Sequence, residues 1–269
     1  MFKNWSDSLT KKYTELSLES KFKFSCHKGI SCYNQCCSNV NIFLSPYDVL
    51  RMRKALGLSS GEFLGKFTVP LLSTQKVSMV LLKMNDDEGK TCPFVGTEGC
   101  TIYNDRPWPC RMYPIGVNTD IENAKDTEKY CFLAEEGGSL CLGTKEEKEW
   151  TVAEWFKNQG IDLYNKKAEA YKAITLHPLL RDGQNLTDAK AQMFYVALYD
   201  LDRFRGLIFE SSFFYRFDIE KRVMEKIKVD DGALLDFGAK WLRFSLFGEN
   251  TLRIKGEMGE EREPRKRQS

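Results

Sequence analysis

The chain carries nine cysteines, all between Cys26 and Cys141. Cys26, Cys32, Cys36 and Cys37 fall in FSCHKGISCYNQCC. Cys92, Cys100 and Cys110 fall in CPFVGTEGCTIYNDRPWPCRMYP, and Cys131 and Cys141 stand singly. A thiolate is a soft anionic ligand, and four of them hold Zn²⁺ tetrahedrally or hold an iron–sulfur cluster. Clumped thiols with long loops between the clumps suit such a site. Each clump supplies ligands from one turn, and the fold gathers the clumps. Nine thiols suffice for two four-thiolate sites with one left over. The Cys36–Cys37 doublet adds a constraint. Adjacent side chains diverge, to opposite faces in a strand and by about 100° in a helix. The doublet therefore suits two metals, or two irons of one cluster, better than one lone ion. Its bland alternative is a vicinal disulfide or a chance doublet.

Other polar residues carry less. His27, next to Cys26, could replace a thiolate or be a solvated turn residue, and His177 before Pro178 reads as a loop residue. Arg106 and Arg111 flank Cys110. They could offset thiolate charge or bind an anion, or form ordinary surface ion pairs. Asp200, Asp202 and Glu210 read as a solvated helix face rather than acid–base groups. The sequence contains no GxGxxG, no GxxxxGK[ST], no GxSxG and no HExxH. With two histidines, Cys–His catalysis has little support.

The elements that must position the thiols come next. Ser45, Pro46 and Asp48 form a helix start, and Val49, Leu50, Met52 and Leu56 give it an apolar face up to Gly57. Ser59 and Glu62 start a second short helix. Residues 68–85 read as one or two strands, and the Asn85–Gly89 turn leads to the second clump. Pro107, Pro109 and Pro114 predict a stiff irregular turn around Cys110. Thr151 and Glu154 cap a further helix that ends at Gly160. Helical periodicity recurs over 161–175, 187–209, 218–228 and 231–247, with Asp218 and Asp230 as caps. The aromatic series Phe194, Tyr195, Tyr199, Phe204, Phe209, Phe213, Phe214 and Tyr215 reads as core rather than a cofactor box.

Composition bounds the answer. The chain has 269 residues, 42% of them hydrophobic, and a formal charge of +2, which gives no reason to expect nucleic acid. The longest apolar run, near Met79–Leu82, is too short to span a bilayer, and the N-terminus lacks an apolar signal core. The expectation is a cytoplasmic protein, where thiols stay reduced or bind metal and disulfides are disfavoured. The predicted fold is α+β, mainly helical. It has an arm (1–21), a cysteine module (22–143) packed on a helical region (144–250), and a disordered charged tail (251–269).

Together FSCHKGISCYNQCC, LSPYDVLRMRKALGLSSGEFL and CPFVGTEGCTIYNDRPWPCRMYP resemble the YkgJ-type cysteine-cluster proteins. That family is described as a zinc- or iron-chelating domain with eight characteristic cysteines, and the flagellin lysine N-methylases carry a similar set. The resemblance is specific over about residues 22–143. It seats Cys26, Cys32, Cys36, Cys37, Cys92, Cys100 and Cys110 at metal-ligand positions, although the usual first clump is tighter than Cys26-x5-Cys32. For the eighth ligand, Cys141 lies among Gly137, Gly138 and Gly143, which let the backbone turn sharply, and the resemblance also favours it. Cys131 lies in an apolar run of strand character and reads as a core thiol. The function implied is a bacterial cytoplasmic protein holding an iron–sulfur cluster or Zn²⁺, with a slight lean to iron–sulfur. Two rival readings are a protein lysine methyltransferase using S-adenosylmethionine and an interaction module stapled by a structural metal. A protein partner or protein substrate fits each of these.

Overall fold

The computed structural model describes residues 14–118, 129–133 and 141–255. Residues 1–13 of the expected arm, residues 256–269 of the expected tail, and Gly137 and Gly138 lie outside the described residues. The protein is α+β and mainly helical, about 49% helix and 15% strand. Among the described residues, no helix is long and apolar enough to cross a membrane. The chain divides into two compact units, one of residues 1–56, 67–69 and 80–168, the other of 57–66, 70–79 and 169–269.

The first unit opens with β1 (Glu15–Leu16), β2 (Lys21–Lys23) and β3 (Phe43–Leu44), and helix α1 (Pro46–Ala55) follows. The chain then enters α2 (Ser60–Phe67), β4 (Thr68–Leu72) and β5 (Ser78–Leu82). Next come β6 (Val95–Gly96), β7 (Gly99–Cys100), α3 (Trp108–Met112), β8 (Ile115–Asn118), β9 (Lys129–Phe132), β10 (Glu149–Thr151), α4 (Val152–Gln159) and α5 (Ile161–Thr175). The sheets are small, with strand orders β1-β9-β8, β10-β2, β3-β5-β4 and β6-β7. β10 runs antiparallel to β2, with Trp150 opposite Phe22. Phe22, Phe24, Met112, Ile115, Phe132, Val152, Trp155, Phe156 and Ile161 form the core. Phe24 meets Trp155 and Tyr113 edge to face, the arrangement aromatic quadrupoles favour.

Helix starts follow local chemistry. The Ser45 hydroxyl accepts from the Asp48 N–H, and the Asp48 carboxylate accepts from the Ser45 N–H at 2.8 Å. This reciprocal pairing satisfies two donors that a helix start would otherwise leave bare. Thr151 and Glu154 repeat it for α4, and Gly160 (φ 65°) ends that helix in the left-handed region.

The second unit adds α6 (Pro178–Arg181), α7 (Asp188–Leu198), α8 (Leu201–Phe209), α9 (Phe213–Arg216), α10 (Lys221–Val229) and α11 (Asp231–Phe247). Phe194, Phe204 and Phe213 are buried, so the core reading of the aromatic series holds for them, whereas Tyr215 is exposed. The structure corrects three expectations here. The span 187–209 is two helices, because Asp200 and Asp202 turn toward α2. The Ser60 hydroxyl donates to Asp200 (2.7 Å), and the Ser60 N–H donates to Asp202 (2.7 Å). These two carboxylates therefore cap another helix instead of facing solvent. Asp218 is not a cap either: α10 starts after Glu220, and the Asp218 N–H instead donates to the Arg253 carbonyl. Asp230 does cap α11, accepting from the Ala233 N–H at 3.0 Å.

Candidate metal centre

All nine cysteines are thiols. Cys36 and Cys37 share a 3-10 turn (Gln35–Cys37) that follows Asn34, whose φ of 67° bends the chain sharply. From this turn the backbone is fastened in two directions. Upstream, β2 extends toward the loop that bears Cys141: the Phe24 N–H donates to the Lys148 carbonyl and the Ser25 N–H to the Gly143 carbonyl, both at 2.9 Å. In the same loop, the Leu142 N–H donates to the Cys32 sulfur at 3.1 Å. Gly143 is required for this approach, since a Cβ there would lie 2.8 Å from the Ser25 carbonyl oxygen and 3.0 Å from the Phe24 ring. Downstream, the Cys92 N–H donates to the Cys37 carbonyl at 2.7 Å. The Val95 N–H then returns to the Cys92 carbonyl, and β6 pairs with β7 so that Val95 faces Cys100.

Cys110 sits on α3, a single helical turn with Pro107 before it and Pro109 near its start. This corrects the irregular turn expected from the prolines, which suit the first positions of a helix because no N–H partner is needed there. Two buried groups hold α3. Asp48, 1% exposed, accepts from the Trp108 N–H at 2.7 Å through the oxygen not used for Ser45. The Trp155 indole donates to the Met112 carbonyl at 3.2 Å.

Arg106 and Arg111 are buried rather than surface ion pairs. Arg111 donates to the carbonyls of Arg106 (3.0 Å), Gln159 (2.7 Å) and Asn104 (2.5 Å). Arg106 donates to the Tyr103 carbonyl and the Gln159 side chain, and its guanidinium lies over the Tyr103 ring. Burial lowers the Arg106 pKa, while the Cys110 and Cys100 thiols act to raise it. A cation buried here opposes thiolate charge. Arg106 lies near Cys110 and Cys100, whereas the Arg111 guanidinium is engaged by three backbone carbonyls.

The thiols sense one another. Burial first, then the neighbouring thiols of Cys36, Cys141 and Cys32, push Cys26 up to about 11. Burial and then Cys92 and Cys100 push Cys110 up to about 12. The Cys37 thiol donates to the Cys36 sulfur, which lowers Cys36 to about 7 and raises Cys37; burial and the thiols of Cys110 and Cys92 raise Cys37 further. Burial also raises Cys92 and Cys100. Cys26 and Cys110 are reachable from solvent, yet protein surrounds their sulfurs closely enough to raise both. Among the described residues, no three His, Cys, Asp or Glu side chains stand at metal-ligating spacing.

The remaining candidates separate from this group. Cys131 is 4% exposed in β9, opposite Gly116 of β8 and Glu15 of β1. His27 is exposed, and both its ring nitrogens are engaged. Nδ1 accepts from the Gly29 N–H, and Nε2 lies 3.1 Å from Glu146. His177 caps α6 through Nδ1 and stacks on Phe247 at 3.7 Å.

Residues 25–135 match the CxxCxxCC family, whose description is "Putative zinc- or iron-chelating domain". Over that span the chain is similar to this cysteine-cluster domain. It is the family that the three motifs resemble, and the matched span includes every cysteine except Cys141. No curated protein and no solved structure matches the chain. The donor set fits the group the family name implies, since thiolates are ligands common to zinc and to iron–sulfur clusters. Sequence reasoning missed the second bond of Asp48, the Leu142 N–H to Cys32 and the Gln159 contacts, because each joins residues far apart in the chain.

Proposed function

We propose that this protein is a cytoplasmic bacterial metal-binding protein that holds an iron–sulfur cluster or Zn²⁺ through Cys26, Cys32, Cys36, Cys37, Cys92, Cys100, Cys110 and Cys141. The observation that supports the reading is that the backbone ties Cys32 to the Cys141 loop and Cys37 to Cys92 on either side of the Gln35–Cys37 turn, while Cys131 is sequestered in a sheet. Bound thiolates supply net negative charge, and the buried Arg106 guanidinium offsets part of it. The N–H donor on Cys32 is the kind of outer contact that orients a metal-bound sulfur. Iron–sulfur is the preferred occupant, because eight thiolates suit multinuclear iron.

Anaerobic purification followed by metal and acid-labile sulfide analysis tests this. Stoichiometric iron with sulfide, in a brown protein, is expected, and stoichiometric zinc in a colourless one would select the other occupant. A chain that keeps neither metal and takes up neither on reconstitution would overturn the proposal.

A further inference from the structure

Resting on that reading, we propose that the eight cysteines form two separate four-thiolate metal sites that divide at the Cys36–Cys37 peptide bond. Site one is Cys26, Cys32, Cys36 and Cys141. Site two is Cys37, Cys92, Cys100 and Cys110. The backbone carries the division. Residues before the bond are tied to the Cys141 loop by Ser25 N–H to the Gly143 carbonyl and Leu142 N–H to the Cys32 sulfur. Residues after it are tied to the second clump by Cys92 N–H to the Cys37 carbonyl at 2.7 Å and by the bridge between Ser38 and Thr91. The β6-β7 hairpin then brings Cys100 back beside the turn that starts at Cys92.

The 3-10 turn Tyr103–Asp105 and α3 then carry the chain from Cys100 to Cys110, the remaining thiol of the second clump. Each group has the four thiolates of a closed tetrahedral site. In the Gln35–Cys37 3-10 turn successive positions lie about 120° apart, so once the Cys37–Cys36 thiol contact gives way one peptide bond serves both sites. Closure of each site releases the ligand protons and forms four metal–sulfur bonds, with no change of oxidation state.

Anaerobic Co²⁺ titration of the metal-free full chain, against a competing chelator, tests the division. Two equivalents with the absorption of tetrahedral cobalt thiolate are expected. Cys26→Ala and Cys100→Ala should each keep one equivalent, and so should the double variant Cys26→Ala/Cys141→Ala, because both its changes fall in site one. Cys26→Ala/Cys100→Ala, which damages both sites, should keep none, and Cys131→Ala should keep two. The equivalent retained by each single variant reports that the rest of the domain is folded. Loss of both equivalents on any single substitution would indicate one shared cluster and overturn the division while leaving the metal reading intact. No Co²⁺ bound by the unaltered chain would overturn that reading as well.

Discussion

At the scale of single residues, the thiols give the metal-free protein a distinctive pH response. Their ordinary pKa is 9.0. Cys36 is held at about 7 by the Cys37 thiol, so its contribution to stability is complete above pH 9 and is lost as pH falls through about 7. Cys26 and Cys110 lie at about 11 and 12, so their contributions are complete below pH 9 and are lost as pH rises through those values. The thiols together favour the metal-free fold most near pH 9. Under reducing anaerobic conditions, the urea midpoint of Cys36→Ser should therefore rise less between pH 7 and 9 than that of the unaltered chain. That of Cys110→Ser should fall less between pH 9 and 11. Parallel pH profiles for all three proteins would refute both expectations. Metal binding should strengthen with pH across the same range, because protons and metal compete for each sulfur.

At the scale of elements, Asp48 couples two helices. One carboxylate oxygen completes the α1 cap, and the other takes the Trp108 N–H that starts α3 and so steadies Cys110. A lost cap costs about 1 kcal/mol, and a buried N–H left bare costs about 1–3 kcal/mol. Asp48→Ala should therefore destabilise the protein by roughly 2–4 kcal/mol in denaturant unfolding. It should also speed labelling of Cys110 by a thiol reagent more than labelling of Cys26, and equal acceleration at both would count against the coupling. Half of this arrangement was legible in sequence. Ser45-x-x-Asp48 is a local pattern, and so are the caps at Thr151 and Asp230. The bond to Trp108 spans 60 positions, and no periodicity encodes it. The break at Asp200 was hidden for the same reason, since Ser60, a residue 140 positions away, creates it. The cysteines were legible because soft ligands in clumps signal their chemistry by type alone. Which thiols share a neighbourhood depends on loop returns that only the fold reveals.

At the scale of the molecule, the eight thiols belong to the first compact unit, while α7, α8 and α11 belong to the second. The second unit has its own aromatic core, with Phe204 stacked near Trp241 and Phe213 edge-on to Phe237. Removing metal should loosen the first unit before the second. Structural zinc in small fingers contributes roughly 10–16 kcal/mol, and a domain with its own apolar core depends on metal less than that. Hydrogen exchange of loaded and stripped protein should show faster exchange in the first unit, around 24–38 and 92–112, and little change in α11. Equal protection in both forms would exclude a structural role for the metal.

The N–H of Leu142 that reaches Cys32 has a consequence for which substitutions the chain can accept. Main-chain donors are indifferent to side-chain identity, so position 142 should accept most residues in a saturation library selected for metal retention. Proline should fail there, even though it is ordinarily welcome at the first position of a helical turn such as Leu142–Lys145. Position 143 should behave oppositely: a Cβ collides with Ser25 and Phe24, so glycine alone should survive. Two adjacent sites, one excluding a single amino acid and the other admitting a single one, would mark the seam of the cysteine cluster in a sequencing readout with no structure in hand.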